Sequence, residues 1–130
     1  YDDSYNANPV SVAAAIDFLA DCPGETWLVL GDMAELGPRG PELHRAIGGR
    51  ARRAGITRLF AFGDGAREAA GEFGAGAIAF QALDALTAAI RDAARPGVTA
   101  LVKGSRCMGL DRLVAVVRDD ARDPREKGAR

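Results

Sequence analysis

The sequence predicts an α/β fold: a doubly wound, mainly parallel sheet with helices on both faces. Two observations predict it. Short apolar runs of strand length alternate along the chain with segments of helical periodicity, the signature of βαβ units. The segments richest in polar chemistry, residues 2–9, 31–40 and 103–108, fall after those runs or just ahead of a helix. Ligands of open α/β sheets bind there, beyond the carboxyl ends of the strands.

The elements follow in order. Asn8 is a good N-cap and Pro9 suits the first helical position. Val12, Ile16 and Leu19 repeat at helical spacing, and Pro23-Gly24 ends that helix. Trp27-Leu28-Val29-Leu30 is a continuous apolar run closed by Gly31, and reads as a buried strand. Pro41 opens a second helix with Leu43, Ile47, Ala51 and Ala54 on one face, stopped by Gly55. Leu59-Phe60-Ala61-Phe62 before Gly63 is the second strand. Ala66, Ala69, Ala70 and Phe73 mark a third helix, stopped by Gly74. Ala77-Ile78-Ala79-Phe80 is the third strand. Leu83, Leu86 and Ile90 mark a fourth helix, stopped by Pro96-Gly97. Val98-Thr99-Ala100-Leu101-Val102 is the fourth strand, with Lys103-Gly104 at its end. Leu110, Leu113, Val114 and Val117 mark a last helix, so residues 1–117 are expected to form one domain. Residues 118–130 mix both charges with almost no apolar side chains and read as a frayed tail.

Composition excludes several classes. At 130 residues, a domain buries roughly two-thirds of the surface its unfolded chain exposes and needs no disulfide or metal to fold. The formal net charge of -1 offers no global field for nucleic acid or a membrane surface. Cys22 and Cys107 lack CxxC spacing, so a reduced, intracellular protein is expected. No apolar run approaches a membrane span, and no signal peptide opens the chain. The chain enters at Tyr1 without an initiating Met. A motif so polar at the first residue suggests a segment cut from a longer protein, with a processed N-terminus as the alternative.

Three segments carry chemistry. Asp2-Asp3-Ser4-Tyr5-Asn6-Ala7-Asn8 packs carboxylates, a phenol and two amides ahead of a helix. Such groups accept from ribose hydroxyls and stack on or bond a base. They also suit a capped turn, and Asn8 reads as the cap. Gly31-Asp32-Met33-Ala34-Glu35-Leu36-Gly37 follows a buried strand. Asp32 and Glu35 are placed to orient a cation or an amine, or else are solvated acids on a surface loop. Lys103-Gly104-Ser105-Arg106 sets three donors at a strand's exit. Together they suit a phosphate or a carboxylate, unless Lys103 merely snorkels.

The remaining candidates are weaker. His44, the single histidine, lies one residue past the apolar face of its helix and is expected to cap or hydrogen-bond. Cys107 sits beside cations but has no catalytic partner in view. No GxxxxGK[ST] or GxGxxG motif is present, so the chain lacks its own triphosphate cradle.

Taken together, the three segments resemble the C-terminal domain of the Mur ligases, which build the peptidoglycan peptide. The resemblance is carried by Asp2 through Pro9 with Ser11, by Val29 through Gly37 with His44 and Gly48, and by Val102 through Arg106 with Met108. It spans Asp2 to about Val117, and the first motif points to the branch that adds D-alanyl-D-alanine. The resemblance implies a Rossmann-like sheet and a cytoplasmic bacterial enzyme of three domains. Its N-terminal domain would take the UDP-sugar. Its central domain would bring a P-loop, Mg²⁺ ligands and a modified lysine. ATP would activate UDP-MurNAc-tripeptide as an acyl phosphate for attack by D-alanyl-D-alanine. Carried over, Asp3, Tyr5, Asn6 and Asn8 would lie on the nucleotide side. Asp32 and Glu35 would face the reaction centre. Lys103, Ser105 and Arg106 would serve the substrate or phosphate, Lys103 and Arg106 as anion stabilisers. No metal ligand is carried over onto this chain. Lys103→Ala is expected to cut turnover and leave folding intact. Cys107 stands where Ser is more usual, and Gly109 where a longer side chain is common.

Two other classes compete. A phosphoryl receiver domain would need Asp64 as phosphoacceptor, but Gln81 stands where a Ser or Thr is required and Gly rather than Pro follows Lys103. A binding-only module that has lost catalysis is the other, and a parent chain without an intact P-loop upstream would favour it.

Overall fold

The computed structural model of the chain describes residues 8–104. Helix α1 (Pro9–Ala20) begins with a reciprocal cap. The Asn8 side-chain oxygen accepts from the Ser11 amide at 2.9 Å, and Ser11 Oγ accepts from the Asn8 amide at 3.1 Å. This satisfies two N-terminal amides that no helical carbonyl can reach. Val12, Ala15, Ile16 and Leu19 form the buried stripe.

Strand β1 (Glu25–Gly31) follows, then a 3₁₀ turn (Gly37–Arg39) and α2 (Gly40–Arg53). Next come β2 (Arg58–Phe62), α3 (Asp64–Phe73), β3 (Ala77–Phe80), α4 (Leu83–Ala93) and β4 (Val98–Lys103). The strand order is β3-β2-β1-β4, and every pair is parallel. Side chains alternate between the faces of a strand, so the sheet has two cores. Leu28, Leu30, Leu59, Ala61 and Leu101 meet the apolar stripes of α1, α2 and α3 on one face. Trp27, Val29, Phe60 and Val102 meet Leu86 and Ile90 of α4 on the other.

Strand burial follows position in the sheet. β1 has a neighbour on each side, and Thr26 through Gly31 are all buried. β3 has one neighbour among the described residues, and Ile78 stays 51% exposed. At the amino end of β1, Glu25 pairs with Arg58 and Arg95. The Arg58 guanidinium also sits over the Trp27 ring, 5.6 Å from its centroid.

One sequence expectation needs correction. The α2 stripe was expected to run through Leu43 and Ala54, with His44 just off it. The buried residues are instead His44, Ile47, Gly48, Gly49 and Ala51, while Leu43 and Ala54 are half-buried. The glycines turn the helix. A Cβ on Gly48 would lie 2.1 Å from the Ala69 carbonyl oxygen, so the α2 and α3 backbones meet where only glycine leaves room. Side-chain periodicity does not register a face made by missing side chains.

This topology creates a switch point. From β1 the chain winds through α2 and α3 to β2 and β3. It then crosses the other face by α4 and returns to the far side of β1 as β4. The carboxyl ends of β1 and β4 thus lie side by side, with Leu30 paired to Lys103. In open α/β sheets, the crevice at such a reversal is where ligands bind.

Candidate functional site at the carboxyl ends of β1 and β4

Of the residues singled out from sequence, Asn8, Asp32, Glu35, His44 and Lys103 belong to the described part. Asp3, Tyr5, Asn6, Ser105 and Arg106 lie outside the described residues, as do the expected last helix and the tail.

Asn8 commits its side-chain oxygen to the α1 cap. Lys103, the last residue of β4, is 1% exposed. It follows Leu101 by two residues, so its side chain enters the sheet face covered by α1, α2 and α3. A lysine that snorkels keeps its ammonium in water, and this burial is not that arrangement. The burial also revises the expectation for Lys103→Ala. Removing a buried four-carbon stem leaves a cavity as well as deleting a charge, so the variant would not leave folding untouched.

The loop after β1 carries the acids in two different ways. Asp32 is half-buried, and its Oδ1 accepts from the Ala66 amide at 2.7 Å. Ala66 lies in the first turn of α3. That helix starts from Gly63 (φ 111°), which has no side chain to cap it. Asp32 supplies the missing acceptor from the loop after β1, an interaction worth about 1 kcal/mol. A Cβ on Gly63 would lie 2.5 Å from Asp32 Oδ1, so glycine is what lets the carboxylate reach the helix end.

Glu35 is displayed outward. Its neighbours Met33 and Leu36 pack into the core while Ala34 and Glu35 are exposed. Glu35 has φ 61°, the one positive value at a non-glycine position among the described residues. The left-handed conformation costs an L-residue roughly 1–2 kcal/mol. Such strain persists where the surroundings over-determine it, and it clusters at functional loops.

The surroundings here are set by His44, which is 3% exposed. Its Nε2 lies 3.0 Å from the Met33 amide, and its Nδ1 2.7 Å from the Gly40 carbonyl oxygen. The amide can only donate, so Nε2 accepts. Nδ1 therefore carries the proton and donates to Gly40, and the ring is neutral. The ring also packs on α3: a Cβ on Gly65 would sit 2.6 Å from Cε1. Sequence reasoning expected His44 to hydrogen-bond, but not that its ring would tie Met33 of the β1 loop to α2. Its partners Met33 and Gly65 meet it only in the fold.

Among the described residues, no group of three or more His, Cys, Asp or Glu side chains is placed to hold a metal ion. The same residues include no helix long and apolar enough to cross a membrane.

Residues 1–106 match the family of the Mur ligase, glutamate ligase domain. The chain belongs to the Mur ligase family. Among curated relatives, the UDP-N-acetylmuramoyl-tripeptide--D-alanyl-D-alanine ligase of Escherichia coli is 37% identical over 121 residues, covering 92% of this chain and 26% of the relative. The ligase of the same name from Synechocystis is 34% identical, covering 88% of this chain and 26% of the relative. This Mur ligase chain therefore spans about a quarter of the length of the curated relatives it matches. A MurF crystal structure from Acinetobacter baumannii superposes with TM-score 0.75 at 31% identity, over 90% of this chain and 27% of that one. A MurF ligase from Thermotoga maritima in complex with ADP superposes with TM-score 0.78 at 24% identity, over 91% of this chain and 27% of that one, and bears on the fold. The Mur ligase sheet thus matches the predicted α/β class, and the receiver-domain alternative finds no support.

Proposed function

We propose that this chain is the C-terminal domain of an ATP-dependent ligase of peptidoglycan synthesis, joining D-alanyl-D-alanine to UDP-MurNAc-tripeptide. The observation that carries the reading is the meeting of two motifs at the switch point. A loop bearing Asp32 and Glu35 leaves β1 beside the strand that ends in Lys103, in a chain of the Mur ligase family. A dipeptide is a zwitterion, and a carboxylate loop beside a strand exit rich in donors matches its two ends.

In this reading the γ-phosphoryl group of ATP passes to the terminal carboxylate of the tripeptide, giving an acyl phosphate and ADP. The dipeptide amine then attacks the carbonyl carbon. The C–N bond forms, the C–O bond to phosphate breaks, phosphate leaves, and the amine gives up a proton. Glu35 faces the incoming amine. Lys103, with Ser105 and Arg106, serves the dipeptide carboxylate or the departing phosphate, where fixed donors act on developing charge. Asp3, Tyr5, Asn6 and Asn8 lie on the nucleotide side. Asp32 reaches the same centre through the loop it anchors. As the family resemblance implies, the reading assigns Mg²⁺ and the triphosphate cradle to a central domain of the parent chain. The substrates and the chain's own N-terminal and central domains are its partners, and the bacterial cytoplasm is its location.

The test is phosphate release by the full-length parent with ATP, Mg²⁺ and UDP-MurNAc-tripeptide, with and without D-alanyl-D-alanine. Release that depends on the dipeptide is expected. Lys103→Met, which keeps the buried stem, is expected to lower turnover more than tenfold with the fold retained. A folded, ATP-binding parent that releases no phosphate in response to the dipeptide would refute the reading.

A further inference from the structure

We infer that His44 is a positioning residue that sets the β1 loop, and with it the Glu35 carboxylate, for the amine-bearing substrate; the inference rests on the ligase reading above. Three observations converge. His44 is buried at 3% exposure, although its helix has an exposed face available. Both of its ring nitrogens are used, one on the Met33 amide in the loop and one on the Gly40 carbonyl, a turn back in its own helix. Between Met33 and the start of α2 stands Glu35 at φ 61°. An exposed loop released from one end would relax a left-handed glutamate toward ordinary backbone. An imidazole locked to its own helix through Gly40 and bonded to the loop at Met33 opposes that relaxation.

The ring is itself fixed from outside the loop. It packs against Gly65 at the start of α3, and Asp32, next to Met33, bonds to Ala66 in the same turn. The loop is therefore referenced to α3 at two adjacent points, and the carboxylate is aimed before substrate arrives. Pre-organisation of this kind lowers the cost of ordering the site on binding. His44 touches no reacting atom in this scheme. It acts through the backbone of Met33 and Gly40.

The experiment uses the full-length parent with His44→Leu, which keeps the packing but removes both hydrogen bonds, and His44→Gln, which returns an acceptor at the reach of Nε2. Two readouts are taken. Hydrogen exchange is followed on the peptide covering residues 32–36, and KM and kcat are measured for each substrate. His44→Leu is expected to speed exchange of the Met33 amide and to raise KM for D-alanyl-D-alanine about tenfold. KM for ATP should stay within about twofold, because the loop does not serve the nucleotide. His44→Gln should recover most of both effects.

Unchanged Met33 exchange in His44→Leu would overturn the inference. So would a variant that loses activity toward all substrates in proportion to its folded fraction, since that is a merely structural residue. A wild-type parent without dipeptide-dependent release would instead overturn the ligase reading, and the exchange arm alone would then decide whether His44 holds the loop.

Discussion

Replacing Gly48 by alanine tests the close approach of the α2 and α3 backbones. The added Cβ would lie 2.1 Å from the Ala69 carbonyl oxygen, with the Ala69 carbonyl carbon and Cα at 2.8 and 2.9 Å. Ordinary contact begins at 3.4 Å, so α2 and α3 must part by about 1.3 Å at this point. No rotamer change can absorb the displacement, because the obstructing atoms are backbone. Parting the helices loosens Ile47, Ala51, Ala66 and Ala69 together, a strain of roughly 1–3 kcal/mol or more by analogy with overpacked cores. Alanine's better helix propensity returns about 0.5–1 kcal/mol. The net expectation is a loss of about 2 kcal/mol. Gly71→Ala is the internal control. Gly71 lies exposed in α3, and nothing stands within 4 Å of its added Cβ, so only the propensity term applies and the chain should gain about 0.5–1 kcal/mol. Urea denaturation of both variants, with equal m-values, reads the two signs. A Gly48→Ala chain as stable as wild type would show that α2 and α3 do not approach this closely.

Two further substitutions probe the packing and the cap. Trp27 is buried with no hydrogen-bond partner for Nε1 among the described residues. Trp27→Phe should therefore stay within about 1 kcal/mol of wild type, since it deletes an unsatisfied donor along with ring area. Trp27→Ala should cost about 3–5 kcal/mol, and a Phe variant as unstable as the Ala variant would argue that the indole is bonded after all. Asn8→Ala should cost about 1 kcal/mol and speed amide exchange at Ser11, whereas Asn8→Asp keeps an acceptor and should cost much less. Equal exchange in both variants would deny the cap.

Fold class and element order were legible in the sequence because they rest on local signals. The four apolar runs became the four strands, and Asn8-Pro9 opened α1 as its cap chemistry requires. The stripe of α3 was read residue for residue at Ala66, Ala69, Ala70 and Phe73, since 3.6-residue periodicity survives wherever side chains make the contact. That the polar segments follow the ends of the runs was also legible, and the described ones, Asp32 through Glu35 and Lys103, do sit at the carboxyl ends of β1 and β4.

What only the tertiary structure decided are the relations between residues far apart in the chain. Strand order is one: nothing local tells β4 to pair with β1 rather than β3. The roles of Asp32 and His44 are another. In the sequence Asp32 is an acid on a loop. In the fold it caps α3 from 34 residues away, because Gly63 leaves that helix end open. His44 looked peripheral by periodicity, yet it is buried, because the face it shares is built from Gly48 and Gly49. A hydrophobic pattern records where apolar side chains go. It does not record where backbone meets backbone, or which buried polar group finds its partner across the fold, and those contacts shape the loop that carries Glu35.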